Sequence, residues 1–458
     1  MWTPGPLSGD KPIFQAIADA VARDVRAGRL APGARLPPLR DLAAALGVDF
    51  TTVSRAYAEA RRRGLITSRV GQGTFVARRT EDYAPADVAD GPVDMSMNLP
   101  PQFADPVLVE RMWAAVPELR LAFGAELWLR YQQAAGAPDD RRAGLAWLAD
   151  RIPDLAFERV LVAAGAQPAL VAIMADVAGP QDVIAADALT YPGARGAAAH
   201  LGISLAGVAM DADGLLPDAF EALCREAGPK ALYCTPTFQN PTTATLGLER
   251  RREIVRIARR HRVALIEDDA YGKLPAAPPP ALAALAPEIT YHVAGLAKVV
   301  SPALRVAYVA TPDARAAERV AARLRALTGM ASPLTAALAT RWIESGVAGQ
   351  VLRAIRAETV ARRRIAGEIL GETYAAPAEA FHLWLPLPKG WSRAGFQGQL
   401  ARRGLAVVPS DAFAITPQAP EAVRVGLGAA SSRDGMRRAL EAVADVLAGA
   451  PGWATSVV

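Results

Sequence analysis

Five short stretches carry the residues best suited to chemistry. Gly165-Ala166-Gln167 leads into a helical run, where free backbone N–H groups and the helix dipole can hold a phosphate. Tyr191-Pro192 offers a platform on which an aromatic ring can stack. Tyr233-x-Thr235-Pro236-x-x-x-Asn240-Pro241-Thr242 and Ile266-Glu267-Asp268-Asp269-Ala270-Tyr271 supply an amide, carboxylates and a phenol. Lys298 supplies an amine that can form a covalent bond to a carbonyl compound, with Ser301-Pro302 and Arg305 behind it. Taken singly, each has a bland reading: a surface charge for Lys298, a helix cap for Asp268, core aromatics for Tyr191 and Tyr271, a turn for Asn240-Pro241. Their joint order and spacing point to one site.

The elements that must position them alternate. Apolar strand candidates at 160–163, 183–186, 203–208, 231–233, 263–267, 291–294 and 306–310 are separated by helical stretches. That alternation predicts a mostly parallel sheet covered by helices, an α/β architecture. Such sheets bind ligands beyond the carboxyl ends of their strands, and the suggestive stretches do follow strand candidates.

Pyridoxal phosphate requires a lysine for its Schiff base, a carboxylate to keep its pyridine nitrogen protonated, a phosphate cradle and donors to its 3-hydroxyl. The stretches supply a candidate for each role, and the sequence from about Asp94 onward resembles the fold-type I aminotransferases. The resemblance implies that Lys298 bonds the cofactor, that Asp268 partners the pyridine nitrogen, and that Asn240 and Tyr271 hydrogen-bond the 3-hydroxyl. Tyr191 would stack on the ring, with Lys298, Asp268 and Tyr191 as the catalytic set. The phosphate would sit on the backbone of Ala166 and Gln167 and on Arg305, with Tyr131 reaching in from a second subunit. Arg424, in Val423-Arg424-Val425-Gly426, would grip the carboxylate of an amino acid; taken alone it reads as an ion-pair partner. Gly295 and Ala297 depart from the serines usual in the lysine motif, which predicts a looser phosphate grip. Thr243 stands where glycine is usual, which questions the backbone of that turn. Residues 380–384 are expected at the edge of a small domain, without the glycines usual nearby.

The N-terminal 79 residues read differently. Ile13, Ile17, Val21 and Val25 recur every four positions as on an amphipathic helix that begins at Pro12 and closes near Gly28. Leu39, Leu42, Ala43 and Leu46 mark a second helix stopped by Gly47, and Asp49 caps a third that runs to about Arg63, ahead of Gly64. Strands at 65–68 and 74–77 around Val70-Gly71-Gln72-Gly73 complete a helix-turn-helix with a wing. Gly28-Arg29-Leu30-x-Pro32-Gly33, Leu36-Pro37, Arg40-x-Leu42-Ala43, Thr51-Thr52-Val53 and Gly71-x-Gly73-Thr74-Phe75-Val76 resemble the GntR family of DNA-binding domains. The resemblance makes Thr51, Thr52 and Arg55 base readers in the major groove, with Arg40 and Thr74 on the phosphate side. Pro38 replaces a usual capping serine, so the second helix should start without a side-chain cap.

Charge and composition agree with that division. Residues 1–79 hold 13 Lys/Arg and 6 Asp/Glu, a balance of +7, while the rest hold 38 and 40, a balance of −2. A small basic head on a neutral body is what contact with a phosphate backbone would produce. Hydrophobic content of 52% with 21% charged residues is a globular profile. The absence of a long apolar run or signal-peptide pattern predicts a cytoplasmic protein with no membrane partner. Two cysteines without Cys-x-x-Cys spacing signal neither disulfides nor a metal site.

The expected organisation is a winged helix-turn-helix (α+β) at 1–79, a linker at 80–92, and an aminotransferase-like α/β domain at 93–458. The last divides into a large part at about 93–315 and a small α+β part at about 316–458. The fused arrangement resembles the MocR subfamily of GntR regulators. It implies a homodimer that binds a double-stranded DNA operator and senses an amine or amino acid through an external aldimine. One alternative is a working aminotransferase, moving an amino group between an amino acid and a 2-oxo acid, to which DNA binding is secondary; another, favoured by Gly295 and Ala297, is a regulator whose large domain has lost its cofactor and serves only for dimerisation.

Overall fold

The computed structural model describes residues 2–5, 12–27, 29–31, 33–63, 65–69, 73–76, 93–371, 373–416 and 418–449. The chain forms two compact units, Met1–Val88 and Ala89–Val458. Gly28, Pro32, Gly64, the turn at 70–72, Ala77 and the linker at 80–92 lie outside the described residues.

In the first unit Ile13–Arg26 is a helix whose Ile17 and Val21 enter the core. Leu39–Leu46 follows, with no side-chain cap from Pro38, and ends at Gly47, whose φ of 62° is left-handed. Asp49 caps the third helix, Phe50–Arg62, by accepting from the Thr51 N–H at 2.7 Å. Buried Tyr57 on that helix donates its hydroxyl to the Pro37 carbonyl at 2.9 Å, tying it to the start of the second. Strands Ile66–Arg69 and Gly73–Val76 pair antiparallel. A third stretch joins them: the Val76 N–H donates to the Ala34 carbonyl and the Leu36 N–H to the Thr74 carbonyl, each at 2.8 Å.

The second unit is built on a seven-stranded sheet. Its order is Val160–Ala163, Ala307–Ala310, Thr290–Gly295, Ala264–Asp268, Ala231–Cys234, Val183–Asp187 and Ser204–Val208. Only Ala307–Ala310 runs antiparallel to its neighbours. Each strand candidate in the sequence falls on one of these strands. Helices cover both faces, so alternate residues enter different cores: Ala231 and Tyr233 one, Leu232 and Cys234 another. A three-stranded antiparallel sheet, His382–Pro386, Ala422–Gly426 and Val408–Pro409, forms the small part, with His382–Pro386 at an edge.

The packing differs from a division at 315/316. Helices Ala314–Thr328 and Pro333–Glu344 bury Val320 and Leu324, and Ala339 and Trp342, in cores of the large part. The 24-residue helix Val347–Leu370 spans both parts, with Val351 and Ile355 in the large core and Ala366 and Leu370 in the small one. Conversely, Val93–Asp94 pairs in parallel with Leu405–Ala406, and Met95 is buried in the small core. Two glycines admit this N-terminal stretch. A Cβ at Gly428 would lie 1.8 Å from the Leu99 carbonyl oxygen, and one at Gly426 2.6 Å from that of Met97.

Candidate active site and nucleic-acid interface

The turns that follow the parallel strands converge on a cavity of about 490 Å³. Gly165, Ala166, Gln167, Tyr191, Asn240, Asp268, Tyr271, Lys298, Arg305 and Arg424 all line it. Asp268 closes strand Ala264–Asp268, Lys298 lies in the turn after Thr290–Gly295, and Gly165 precedes helix Ala166–Val177. Arg305 precedes the one antiparallel strand, so it stands at the same end of the sheet. Its guanidinium lies 3.5 Å from where a Cβ on Gly165 would sit, beside the unsatisfied N–H groups of the helix start.

Asp268 is buried and accepts from the Tyr233 hydroxyl at 2.9 Å through one oxygen. Burial pushes its carboxyl up to about 6, against the pull of that hydroxyl. Burial, then the Arg424 charge, lowers the Lys298 amine to about 8, against the attraction of Asp268. Lys298 Nζ donates to the Asn98 carbonyl. Arg424 reaches in from the small sheet, donating to Asn240 Oδ1 at 2.8 Å and to the Ser96 carbonyl at 2.5 Å. That leaves Asn240 its amide nitrogen as donor.

The departures have physical counterparts. Thr243 keeps the left-handed turn that glycine would favour, at φ 64°, a conformation that costs a β-branched residue about 1–2 kcal/mol. Its N–H donates to the Gln239 carbonyl at 2.6 Å and its hydroxyl to the Ala375 carbonyl at 3.2 Å. A Cβ on Gly295 would lie 3.3 Å from that of Ala166, so this glycine and alanine fit as a pair. Tyr131 does not line the cavity of its own chain and is 93% exposed.

Behind Asp268 lies a buried charge cluster. Arg151 meets Asp269 at 2.8 and 3.2 Å, and Glu267 takes the backbone N–H groups of Leu282 and Ala283 and His292 Nδ1. These groups fix the strand end that carries Asp268. Nothing in the sequence marks Ser96 and Asn98, which lie in the irregular stretch after the two-residue strand Val93–Asp94 and so have no periodicity to read, nor His382 and Gln239. Tyr233 stands within a legible motif, but its part as donor to Asp268 appears only in the fold.

Four buried polar atoms, Asp268 Oδ1, Gln167 Oε1, Arg424 Nε and Asn98 Oδ1, have no partner among the described residues, and all four residues line the cavity. An acceptor beside an amine, a phosphate cradle and a carboxylate-binding guanidinium fit pyridoxal phosphate and an amino acid. In the head, Arg40, Thr51 and Arg55 are exposed and Thr52 and Thr74 half-buried. Arg55 lies over the Phe14 ring at 4.4 Å, and the Thr51 hydroxyl bonds Asp49 Oδ1 at 2.5 Å.

Fold and site define an aminotransferase-like body joined to a winged helix-turn-helix head. Residues 90–443 match the family of class I and II aminotransferases, and residues 14–76 the gntR family of bacterial regulatory proteins. An uncharacterized HTH-type transcriptional regulator of Bacillus subtilis, YdeF, is 31% identical over 448 residues, 96% of this chain and 95% of the relative. The probable rhizopine catabolism regulatory protein MocR of Rhizobium meliloti is 26% identical over 330 residues, 66% of each chain. The body shares the fold of a Pyrococcus horikoshii kynurenine aminotransferase, with a TM-score of 0.71 at 21% identity over 79% of this chain and 91% of that one. The chain belongs to the MocR subfamily of GntR transcription regulators, in which a DNA-binding head is fused to an aminotransferase-like domain.

Proposed function

We propose that this regulator holds pyridoxal phosphate at Lys298, reads an amino acid or amine in the same cavity, and acts as a homodimer on operator DNA. The observation that carries the reading is the convergence of Lys298, Asp268, Tyr271, Asn240 and Arg424 on one cavity. Bound there, the cofactor supplies an aldehyde reactive toward primary amines and an electron-accepting ring. The residues divide the remaining work. Lys298, with its lowered proton affinity, is a better nucleophile than a surface lysine. Asp268, with its unpartnered oxygen, would hold the protonated ring nitrogen, Tyr191 would stack on the ring, and Arg305 with the N–H groups of Ala166 and Gln167 would hold the phosphate. Arg424 binds the carboxylate of an amino-acid effector. Thr51, Thr52 and Arg55 face the bases, and Arg40 and Thr74 the phosphates.

A second copy is supported by an apolar surface. Helices Pro106–Ala122 and Glu126–Leu129 leave Trp113, Leu121, Trp128 and Leu129 exposed, with Tyr131 beside them. Among the described residues no helix is long and apolar enough to cross a membrane. Retention of Lys298, Asp268 and Arg424 in one cavity also favours a residual amino-group transfer, which steady-state assays with a panel of amino donors would detect.

The test is spectroscopic and electrophoretic. Purified protein should show a visible cofactor band that is lost in Lys298→Ala and altered by the effector amino acid. It should bind operator fragments with an affinity that drops about 10³- to 10⁵-fold between about 50 and 200 mM salt, for six to ten phosphate contacts. A colourless wild type would refute the cofactor assignment, and a flat salt response the DNA-binding one.

A further inference from the structure

We infer that Asn98 is a positioning residue, oriented by His382, that makes Tyr271 a hydrogen-bond donor into the cavity. The inference rests on the cofactor reading above. It begins at a group with only one role open to it: the Gln239 carbonyl can only accept, and His382 Nε2 lies 3.2 Å from it, so Nε2 carries the ring hydrogen. The imidazole is fully buried, and burial, then the Arg424 and Lys298 charges, lower it to about 3. The ring is therefore neutral at physiological pH, and Nδ1 presents a lone pair.

Asn98 Nδ2 faces that lone pair at 3.4 Å and the Tyr271 hydroxyl oxygen at 2.8 Å. Turning the amide over would set its carbonyl oxygen against the Nδ1 lone pair, so the NH2 group stays where it is. Having accepted from Asn98, Tyr271 keeps its own hydrogen to give, and both residues line the cavity that holds Lys298. The same orientation leaves Asn98 Oδ1 buried without a partner among the described residues, which an apolar core position would not tolerate without compensation. Tyr191, Asp268 and Arg424 are the other titratable or charged groups that act on the Tyr271 hydroxyl.

When pyridoxal phosphate is bound, its 3-oxygen is the acceptor that this hydrogen would meet. A donor there draws negative charge from that oxygen and weakens its hold on a proton at the nearby Lys298 nitrogen. Removing the donor raises the pH midpoint of the visible cofactor band, a readout that a purely structural residue would not move.

The experiment is a pH titration of that band in full-length, cofactor-loaded protein. Asn98→Leu leaves the Tyr271 hydrogen but not the contact that directs it, and should raise the midpoint by a measurable part of the rise in Tyr271→Phe, where loss of the hydrogen bond itself gives about one pH unit, tenfold in proton affinity. His382→Phe, which frees the amide to turn, should raise it by less, and Asn98→Leu should add nothing once Tyr271 is phenylalanine. Asn98→Gly, which keeps the backbone carbonyl that accepts from Lys298, gives the same readout if Asn98→Leu does not fold. A midpoint unchanged in the position 98 and 382 variants, or an additive effect in the Tyr271→Phe background, overturns the inference. A wild type without the band would remove the cofactor reading itself, and the inference with it.

Discussion

Replacing Asp268 by asparagine should change the stability of the cofactor-free protein and its hold on the cofactor in opposite directions. The carboxyl is 5% exposed, one of its oxygens has only Tyr233, and burial raises it from 3.8 to about 6. At about 1.4 kcal/mol per tenfold in proton affinity, keeping it ionised at neutral pH costs about 3 kcal/mol of folding free energy. The unfolded carboxyl loses its proton near 3.8 and the folded one near 6. Between those values folding takes up a proton, so stability falls as pH rises through that window and levels off above it. Asparagine cannot ionise and keeps an oxygen for Tyr233, but its NH2 group lacks a protein partner, which offsets about 1 kcal/mol. In urea titrations followed by tryptophan fluorescence, the variant should be about 2 kcal/mol more stable than the wild type at pH 7 and no more stable than it near pH 4. Cofactor affinity should fall roughly 10- to 150-fold, the loss of a charge-assisted hydrogen bond of about 1.5–3 kcal/mol. A variant whose pH profile parallels that of the wild type, or that binds cofactor equally well, would refute the role of this carboxylate.

Three further changes test the supports of the two sites. Arg151→Met leaves Asp269 charged and buried without its 2.8 Å partner, and should cost about 3–5 kcal/mol, read as a lower Tm. Gly428→Ala sets a Cβ 1.8 Å from a backbone oxygen, which cannot yield as a side chain would; Tm and cofactor affinity should drop together, because Ser96–Leu99 must move. Asp49→Ala removes the cap of the helix Phe50–Arg62 and should cost about 1 kcal/mol, weakening DNA binding in gel-shift assays while the cofactor band stays unchanged.

Much of the site was legible because an α/β pattern brings every post-strand turn to one edge of the sheet. Once seven apolar runs alternate with helices, residues after them, such as Gln167, Asn240, Asp268 and Lys298, must be neighbours even though they are far apart in sequence. The boundary between large and small parts was less legible. Which core an amphipathic helix joins depends on the partner its apolar face meets, and the faces of Ala314–Thr328 and Val347–Leu370 carry no mark of that choice. Gly295 illustrates the same limit: its lost hydroxyl was visible in sequence, while its fit against Ala166 is a distance between segments some 130 residues apart.

The sequence by itself determined the two-part organisation, the strands, the capped third helix of the head and the order of the chemical groups, since periodicity, capping and turn preferences act within a few residues. Tertiary structure alone decided that the stretch around Asn98 forms a wall of the cavity, that Arg424 engages Asn240, and that His382 sets the direction of a buried hydrogen-bond chain. Those outcomes follow from desolvation and hydrogen-bond direction among groups that meet only when the chain has closed on itself.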